Sequence, residues 1–98
     1  MSKLTIADVR DRNTSAGFFF FSRDAMRFFS SRVESSLYSN GCFITSESEG
    51  FVISKRRKYS VHWYNPQTHS IDAASEFCQF SDISDARAFA RAYVPGGA

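Results

Sequence analysis

Hydrophobic positions near the start of the chain recur at helical spacing. Within residues 5–14, Ile6 and Val9 lie three apart and are surrounded by charged side chains, which is typical of a short amphipathic helix. Gly17 follows, and glycine readily adopts the left-handed backbone that ends a helix. The pattern therefore predicts an N-terminal helix that stops before Gly17.

A run of four phenylalanines follows at residues 18–21. It is too short and too aromatic for a helix of its own, so it is predicted to be a strand that is buried on both faces. Ser22 is placed to cap a short helix that runs to about Ser30, because its hydroxyl can accept an amide of the first turn. Two serine pairs then mark the exit into a loop.

Further strands are predicted between turns that contain Asn, Gly or Pro, at residues 42–45, 51–53, 59–64 and 70–77. Residues 47–50 are predicted to form the turn after the first of them. The third strand alternates regularly, with Tyr59, Val61 and Trp63 on one face and Ser60, His62 and Tyr64 on the other. The first face is expected in the core and the second in solvent.

A final helix is predicted after Ser81 or Asp82, either of which could cap it. Its apolar positions fall on one stripe, formed by Ile83, Ala86, Phe89, Ala90 and Tyr93. Ser84, Arg87 and Arg91 lie opposite this stripe. The helix is expected to end before Pro95-Gly96-Gly97.

The order of elements, with short turns between strands, predicts the α+β class. We expect an antiparallel sheet of about four to five strands, on which an N-terminal helix, a short inserted helix and a C-terminal helix pack. A chain of 98 residues is the size of one domain, so residues 1–98 are predicted to be a single domain with frayed ends at 1–3 and 95–98.

The composition supplies an aromatic core, since the chain has eleven Phe, four Tyr and one Trp. Cys42 and Cys78 lie far apart and lack partners at metal-ligand spacing. We expect both to be reduced and partly buried, although the sequence also permits a disulfide between them. No apolar stretch is long enough to span a membrane and no signal core follows Met1, so a cytoplasmic protein is expected.

Basic residues are concentrated in a segment without acids, although the net charge is only +2. The segment contains Lys55, Arg56, Arg57 and Lys58 and leads into the strand of His62 and Tyr64. With Arg87 and Arg91, these side chains are candidates for contact with a partner, because cations attract phosphate and aromatic rings stack on bases. Alternatively, the run is a solvated loop that discourages edge pairing of the sheet.

A second basic group surrounds the short predicted helix and consists of Arg23, Arg27 and Arg32. Forked guanidinium groups could bind a carboxylate or a phosphate there. The plainer interpretation is that Arg27 pairs with Asp24 and that Arg23 is simply exposed.

Catalysis has little support in the sequence. The candidate acids, bases and nucleophiles are His62, His69, Cys42, Cys78 and Asp72, and their spacing neither pairs a nucleophile with a base nor assembles metal ligands. We therefore predict a protein that is not an enzyme and uses no metal or cofactor.

Two stretches carry a resemblance to a known family. One runs from Gly17 to Val33 and includes Met26-Arg27-Phe28-Phe29-Ser30-Ser31-Arg32; the other runs from Arg57 to Thr68 and includes Tyr59-Ser60-Val61 and Asn65-Pro66-Gln67-Thr68. Together they resemble small uncharacterised proteins carried by bacteriophages and plasmids. The resemblance implies a mobile-element setting, in which small proteins often block a host defence component, as anti-CRISPR proteins do.

The leading functional prediction is a non-enzymatic accessory protein that binds and inhibits a protein or ribonucleoprotein complex of a bacterial host. The phenylalanines of residues 18–21 and Phe28 and Phe29 are expected in the core, and any of them that stays exposed would form an anchor for such a partner. The alternatives are direct nucleic-acid binding through the basic segment and a small enzyme that uses His62 or a cysteine. The sequence leaves the partner and the oligomeric state open.

Overall fold

A computed structural model describes residues 4–23, 31–48 and 57–94 of the chain. Two helices and four strands lie within these ranges: α1 (Ile6–Ser15), β1 (Arg32–Val33), β2 (Cys42–Ser48), β3 (Arg57–Tyr64), β4 (Ile71–Ala73) and α2 (Ile83–Ala92). The predicted α+β class, with an antiparallel sheet and helices near both ends of the chain, is confirmed.

The four strands form one antiparallel sheet in sequence order, β1-β2-β3-β4. The long β2–β3 pair is its centre, with Cys42 opposite Trp63 and Ser48 opposite Arg57. Beyond β4 the chain still follows β3, because Tyr59 and Phe80 exchange both of their backbone hydrogen bonds. Every described strand pairs with its neighbour in sequence, so no connection has to cross over another strand of the sheet.

Helix α2 packs on one face of the central strands. Its buried residues Ala86 and Ala90 meet Cys42, Ile44 and Val61 in the hydrophobic core. Small alanines let the helix approach the sheet closely, while Phe89 and Tyr93 pack at the edge of the cluster. The predicted apolar stripe is therefore the buried face, and Asp82 is the residue that caps the helix.

Helix α1 begins with a reciprocal cap. The Asp8 amide donates to the Thr5 hydroxyl, and the Thr5 amide donates to the Asp8 carboxylate, which lowers the pKa of Asp8. At the other end, Gly17 has a φ of 93° and turns the chain away. The predicted helix and its stop at Gly17 are confirmed.

The phenylalanine run is not a strand, and this prediction is wrong. Residues 18–21 form a turn in which Phe18 and Phe19 face solvent, while Phe20 and Phe21 are partly buried. Local backbone bonds explain it, because the Phe18 amide donates to the Asn13 carbonyl and the Ser22 amide to the Phe19 carbonyl. The chain thus wraps over the end of α1 and has no strand partner there.

Three smaller differences concern the strands, and the first is that β4 ends at Ala73 although a strand was predicted at residues 70–77. Glu47 and Ser48, which were predicted to begin a turn, extend β2 as far as Ser48. The short strand β1 was not predicted, and its backbone is paired with β2 at Arg32–Ser46 and Val33–Thr45. The predicted strand at 51–53, most of the predicted helix at 22–30 and residues 95–98 lie outside the described residues.

The second face of β3, which was predicted to be wet, is mostly buried. Ser60 and Tyr64 are each 1% exposed, and His62 is largely covered. Phe20 and Phe21 lie against this face, where their rings contact Phe43, and Phe20 also contacts His62. Both faces of the sheet therefore carry packed side chains. No helix within the described ranges is long and apolar enough to cross a membrane.

Candidate functional site

The described half of the basic segment is bonded to the protein itself. Arg57 donates from Nε to the Ser46 hydroxyl and from Nη2 to the Ser46 carbonyl, both at 2.8 Å. Lys58 donates from Nζ to the Ser81 hydroxyl at 3.0 Å. Lys55 and Arg56 lie outside the described residues.

Arg57 is part of a polar contact between β3, β2 and the segment after β1. The Ser46 hydroxyl donates to Glu34 Oε1 at 2.6 Å while it accepts from Arg57. The guanidinium group thus joins β3 to β2 and, through Ser46, to the segment after β1. A phosphate would have to displace these bonds to use Arg57 fully.

The two aromatic side chains predicted to accompany the basic segment lie inside the protein. The Tyr64 hydroxyl is 2.5 Å from His69 Nδ1. Asn13 of α1 donates to the His69 carbonyl, which holds the loop after β3 against that helix. In this arrangement neither His62 nor Tyr64 offers a ring on which a base could stack.

A buried polar cluster consists of Thr45, Glu47, Ser60 and His62. Glu47 is 2% exposed, and its carboxyl group accepts from the Thr45 hydroxyl at 2.6 Å and from the Ser60 hydroxyl at 3.1 Å. Thr45 has one proton and gives it to Glu47, so His62 Nε2 must be the donor in its 2.9 Å contact with Thr45. Burial lowers the pKa of His62 to about 4, which keeps the ring neutral near pH 7.

The hydroxyl groups of this cluster are bonded to other groups of the interior and are not presented as nucleophiles. Among the described donors to the Glu47 carboxyl group, the Thr45 and Ser60 hydroxyls lie closer than the Cys78 thiol. Ser60 also accepts the Cys78 amide at 2.8 Å, which leaves each hydroxyl of the cluster bonded on both sides. Among the described residues, no group of three His, Cys, Asp or Glu could hold a metal ion.

The two cysteines are free. Cys42 is buried in the core under α2, where burial raises the pKa of its thiol to about 11. It therefore packs as a small apolar residue, as predicted. Cys78 is half-buried, has a φ of 58°, and its Sγ lies 3.9 Å from Glu47 Oε2.

Four of the remaining predicted arginines are exposed. Arg87 and Arg91 lie four apart on α2, which packs on the face opposite His62. Arg23 and Arg32 are also exposed, and Arg27 lies outside the described residues. The structure therefore does not unite α2 with His62 and Tyr64 in one surface.

Four large apolar side chains of the described residues are exposed: Phe18, Phe19, Phe77 at 56% and Val94 at 53%. Two of them, including the most exposed, belong to residues 17–21, which we call the aromatic turn. Phe19 is 77% exposed and Phe18 is 41% exposed. Both were predicted in a buried strand, and no local signal in the four-phenylalanine run distinguishes the exposed rings from the covered ones.

A cavity of about 440 Å³ opens at the end of the sheet where β2 begins and β3 ends. Its walls include Leu4, Leu37, Tyr38, Trp63 and Pro66. No local sequence pattern predicts this cavity, because its residues are brought together by the turn before β2 and the β3–β4 connection.

Comparison with known proteins gives one match. The model of a family of unknown function, DUF7447, matches residues 5–91. No curated protein and no solved structure matches the chain.

Proposed function

The chain belongs to the family DUF7447, and we propose that it is a non-enzymatic binding protein whose aromatic turn attaches it to a protein complex of a bacterial host and inhibits that complex. The observation that carries the proposal is the exposure of Phe18 and Phe19. Large apolar side chains in water are unfavourable for a free protein, and burying one such ring contributes about 1.5–3 kcal/mol. Aromatic residues are accordingly enriched in the buried centres of protein interfaces.

The backbone that carries the two exposed rings of the aromatic turn is held in place. Its backbone is bonded at both ends, by the Gly17 amide to the Thr14 carbonyl and by the Ser22 amide to the Phe19 carbonyl, each at 3.0 Å. Phe20 and Phe21 anchor the same turn on Phe43. A partner that buries Phe18 and Phe19 would therefore pay little entropy for ordering this surface.

Charge near the aromatic turn favours a particular kind of partner. Arg23 follows the turn and is exposed. An apolar pocket with an acidic rim would accept the rings and pair with this guanidinium group. A nucleic acid is the weaker candidate, since Arg57 and Lys58 are bonded internally and the rings of His62 and Tyr64 are covered.

The bacterial host and the inhibitory effect rest on a different observation. They follow from the resemblance of residues 17–33 and 57–68 to proteins carried by bacteriophages and plasmids. Within this setting, a complex that defends the host is the target we test first.

Photocrosslinking tests the contact surface. p-Benzoylphenylalanine replaces Phe19 in cells that produce the chain, and irradiation is followed by mass spectrometry of the products. We expect a discrete crosslinked host protein, because the ring at position 19 lies in the interface. The added substitution Phe18→Ser should weaken this crosslink by at least about tenfold, as expected for an anchor at the centre of an interface.

The matched control carries the same crosslinker in place of Val94, which is 53% exposed and follows α2. A product that forms equally from positions 19 and 94, or that is unchanged by Phe18→Ser, would contradict the proposed contact. Labelled DNA and RNA are assayed in parallel by fluorescence anisotropy over a salt series. Tight, salt-sensitive binding that Arg87→Ala and Arg91→Ala remove would favour the nucleic-acid alternative.

A further inference from the structure

The cavity at the end of the sheet has an aromatic wall. Tyr38 and Trp63 line it together with Leu4, Leu37 and Pro66. Its volume of about 440 Å³ falls in the range of small-molecule sites, which are concave and mainly apolar. Planar ligands suit such walls, because aromatic rings favour stacked and edge-to-face contacts.

Three of the polar side chains at this cavity, those of Asn40, Trp63 and Tyr64, are already bonded within the protein. Asn40 donates to the carbonyls of Ala90 and Tyr93 and accepts from the Cys42 amide. Trp63 Nε1 donates to the Asn40 carbonyl at 2.9 Å, and the Tyr64 hydroxyl is bonded to His69. A ligand therefore meets mostly apolar surface, and the described lining residues carry no charge that could pair with an ion.

The walls of the cavity are fixed before any ligand arrives. The Gly41 amide donates to the Tyr38 carbonyl and closes the turn that forms one side. A Cβ at Gly41 would lie 2.9 Å from Trp63 Nε1, so the indole ring rests directly on this backbone. Such a preformed site loses little entropy when it binds a rigid molecule.

We propose that this cavity is a binding site for a neutral, planar aromatic molecule, which stacks on Trp63 and is excluded when it carries a charge. The site is separate in its residues from the aromatic turn. Failure of one proposal therefore leaves the other standing.

Nuclear magnetic resonance of the ¹⁵N-labelled chain tests the proposal with indole as the probe. Trp63 is the single tryptophan, so its side chain gives one indole cross-peak that reports directly on the cavity. Titration with indole should shift this peak to saturation. Indole-3-acetate and tryptamine carry the same ring with a negative and a positive charge, and each should bind at least about tenfold more weakly because its charge would be desolvated without a partner.

A pair of serine variants separates cavity binding from surface binding. Ser39 is exposed at the rim, so Ser39→Phe should weaken indole binding by at least about tenfold, as expected when bulk fills an apolar site. Ser36→Phe places the same ring at an exposed position outside the lining and should leave binding unchanged. Absence of a saturable shift, equal binding of the charged analogues, or equal binding by Ser39→Phe would each overturn the proposal. The comparison of charged and neutral ligands on the parent chain remains decisive even where Ser39→Phe does not fold.

Discussion

His62 illustrates how burial changes the chemistry of a residue. The sequence predicts that it is an exposed histidine on the polar face of a strand. In the folded chain it lies between Phe20 and Phe43 and donates to Thr45. Its neutral form is favoured there, because a charged imidazolium would lose hydration without gaining an acidic contact.

This burial predicts a pH-dependent stability. The pKa of His62 is about 4 in the folded chain and 6.5 ordinarily, so between these values the unfolded chain binds more protons. The contribution of neutral His62 to the free energy of unfolding is complete above pH 6.5 and is lost as the pH falls toward 4. At pH 5 the free energy of unfolding should be about 2 kcal/mol lower than at pH 7.5 from this residue.

Urea denaturation of the parent and His62→Gln at both pH values measures this effect. Glutamine keeps a donor for Thr45 but does not titrate, so the variant should lose about 2 kcal/mol less than the parent on acidification. Equal losses in both proteins would show that His62 is not the titrating group.

At the scale of elements, two glycines with similar backbones should respond differently to the same change. Gly17 and Gly41 have φ values of 93° and 91°, which are strained for any residue with a Cβ. Gly17 has open space around it, whereas a Cβ at Gly41 would clash with Trp63 and approach the Tyr64 carbonyl.

Gly17→Ala should therefore cost about 1–2 kcal/mol of unfolding free energy, which is the backbone strain alone. Gly41→Ala adds a steric clash and should cost at least about 3 kcal/mol. Thermal or urea unfolding of the two variants provides the comparison. A cost at Gly17 that equals or exceeds the cost at Gly41 would contradict the close contact between Gly41 and the indole ring.

Asn40 connects two elements that are distant in sequence. Its amide group donates to the last carbonyls of α2, and its oxygen accepts from the first residue of β2. Asn40→Ala should cost about 2–4 kcal/mol, because these groups lose their bonds. Asn40→Asp should be at least as damaging, since a carboxylate would face two carbonyl oxygens.

The capping residue at the other end of α2 is the control for Asn40. Asp82→Ala removes one bond to the Ser84 amide and should cost about 1 kcal/mol in the same unfolding assay. If Asn40→Asp were as stable as the parent, the amide contacts with α2 would have to be absent in solution.

Local patterns predicted the elements whose signals are local. The apolar spacing of α1 and α2, the stop at Gly17 and the cap at Asp82 were sufficient, and the alternation of β3 correctly placed Val61 toward the core. The other face of β3, with Ser60, His62 and Tyr64, was wrongly assigned to solvent, because polar side chains are typical of a surface until their bonds are known. The cluster around Glu47 satisfies them through partners on two strands, which no local window contains.

At the scale of the whole molecule, surfaces were harder to predict than elements. The sequence directed attention to Arg57 and Lys58, whose charges are bonded to Ser46 and Ser81 in the fold. Exposure of Phe18 and Phe19 depends on how the chain leaves α1 and which rings reach the sheet. Four identical side chains in a row carry no pattern that could distinguish the inner pair from the outer pair.

Phage plating on bacterial strains that each carry one defined defence system, including an RNA-guided one, tests the central claim most directly. The parent chain, Phe19→Ser and Val94→Ser are produced at equal levels, and both substitutions should leave thermal stability nearly unchanged because they replace exposed side chains. We expect the parent and Val94→Ser to restore plating on one of these strains, and Phe19→Ser to lose the effect. Restored plating by Phe19→Ser, or no effect of the parent on any strain, would contradict inhibition of a host defence complex through the aromatic turn.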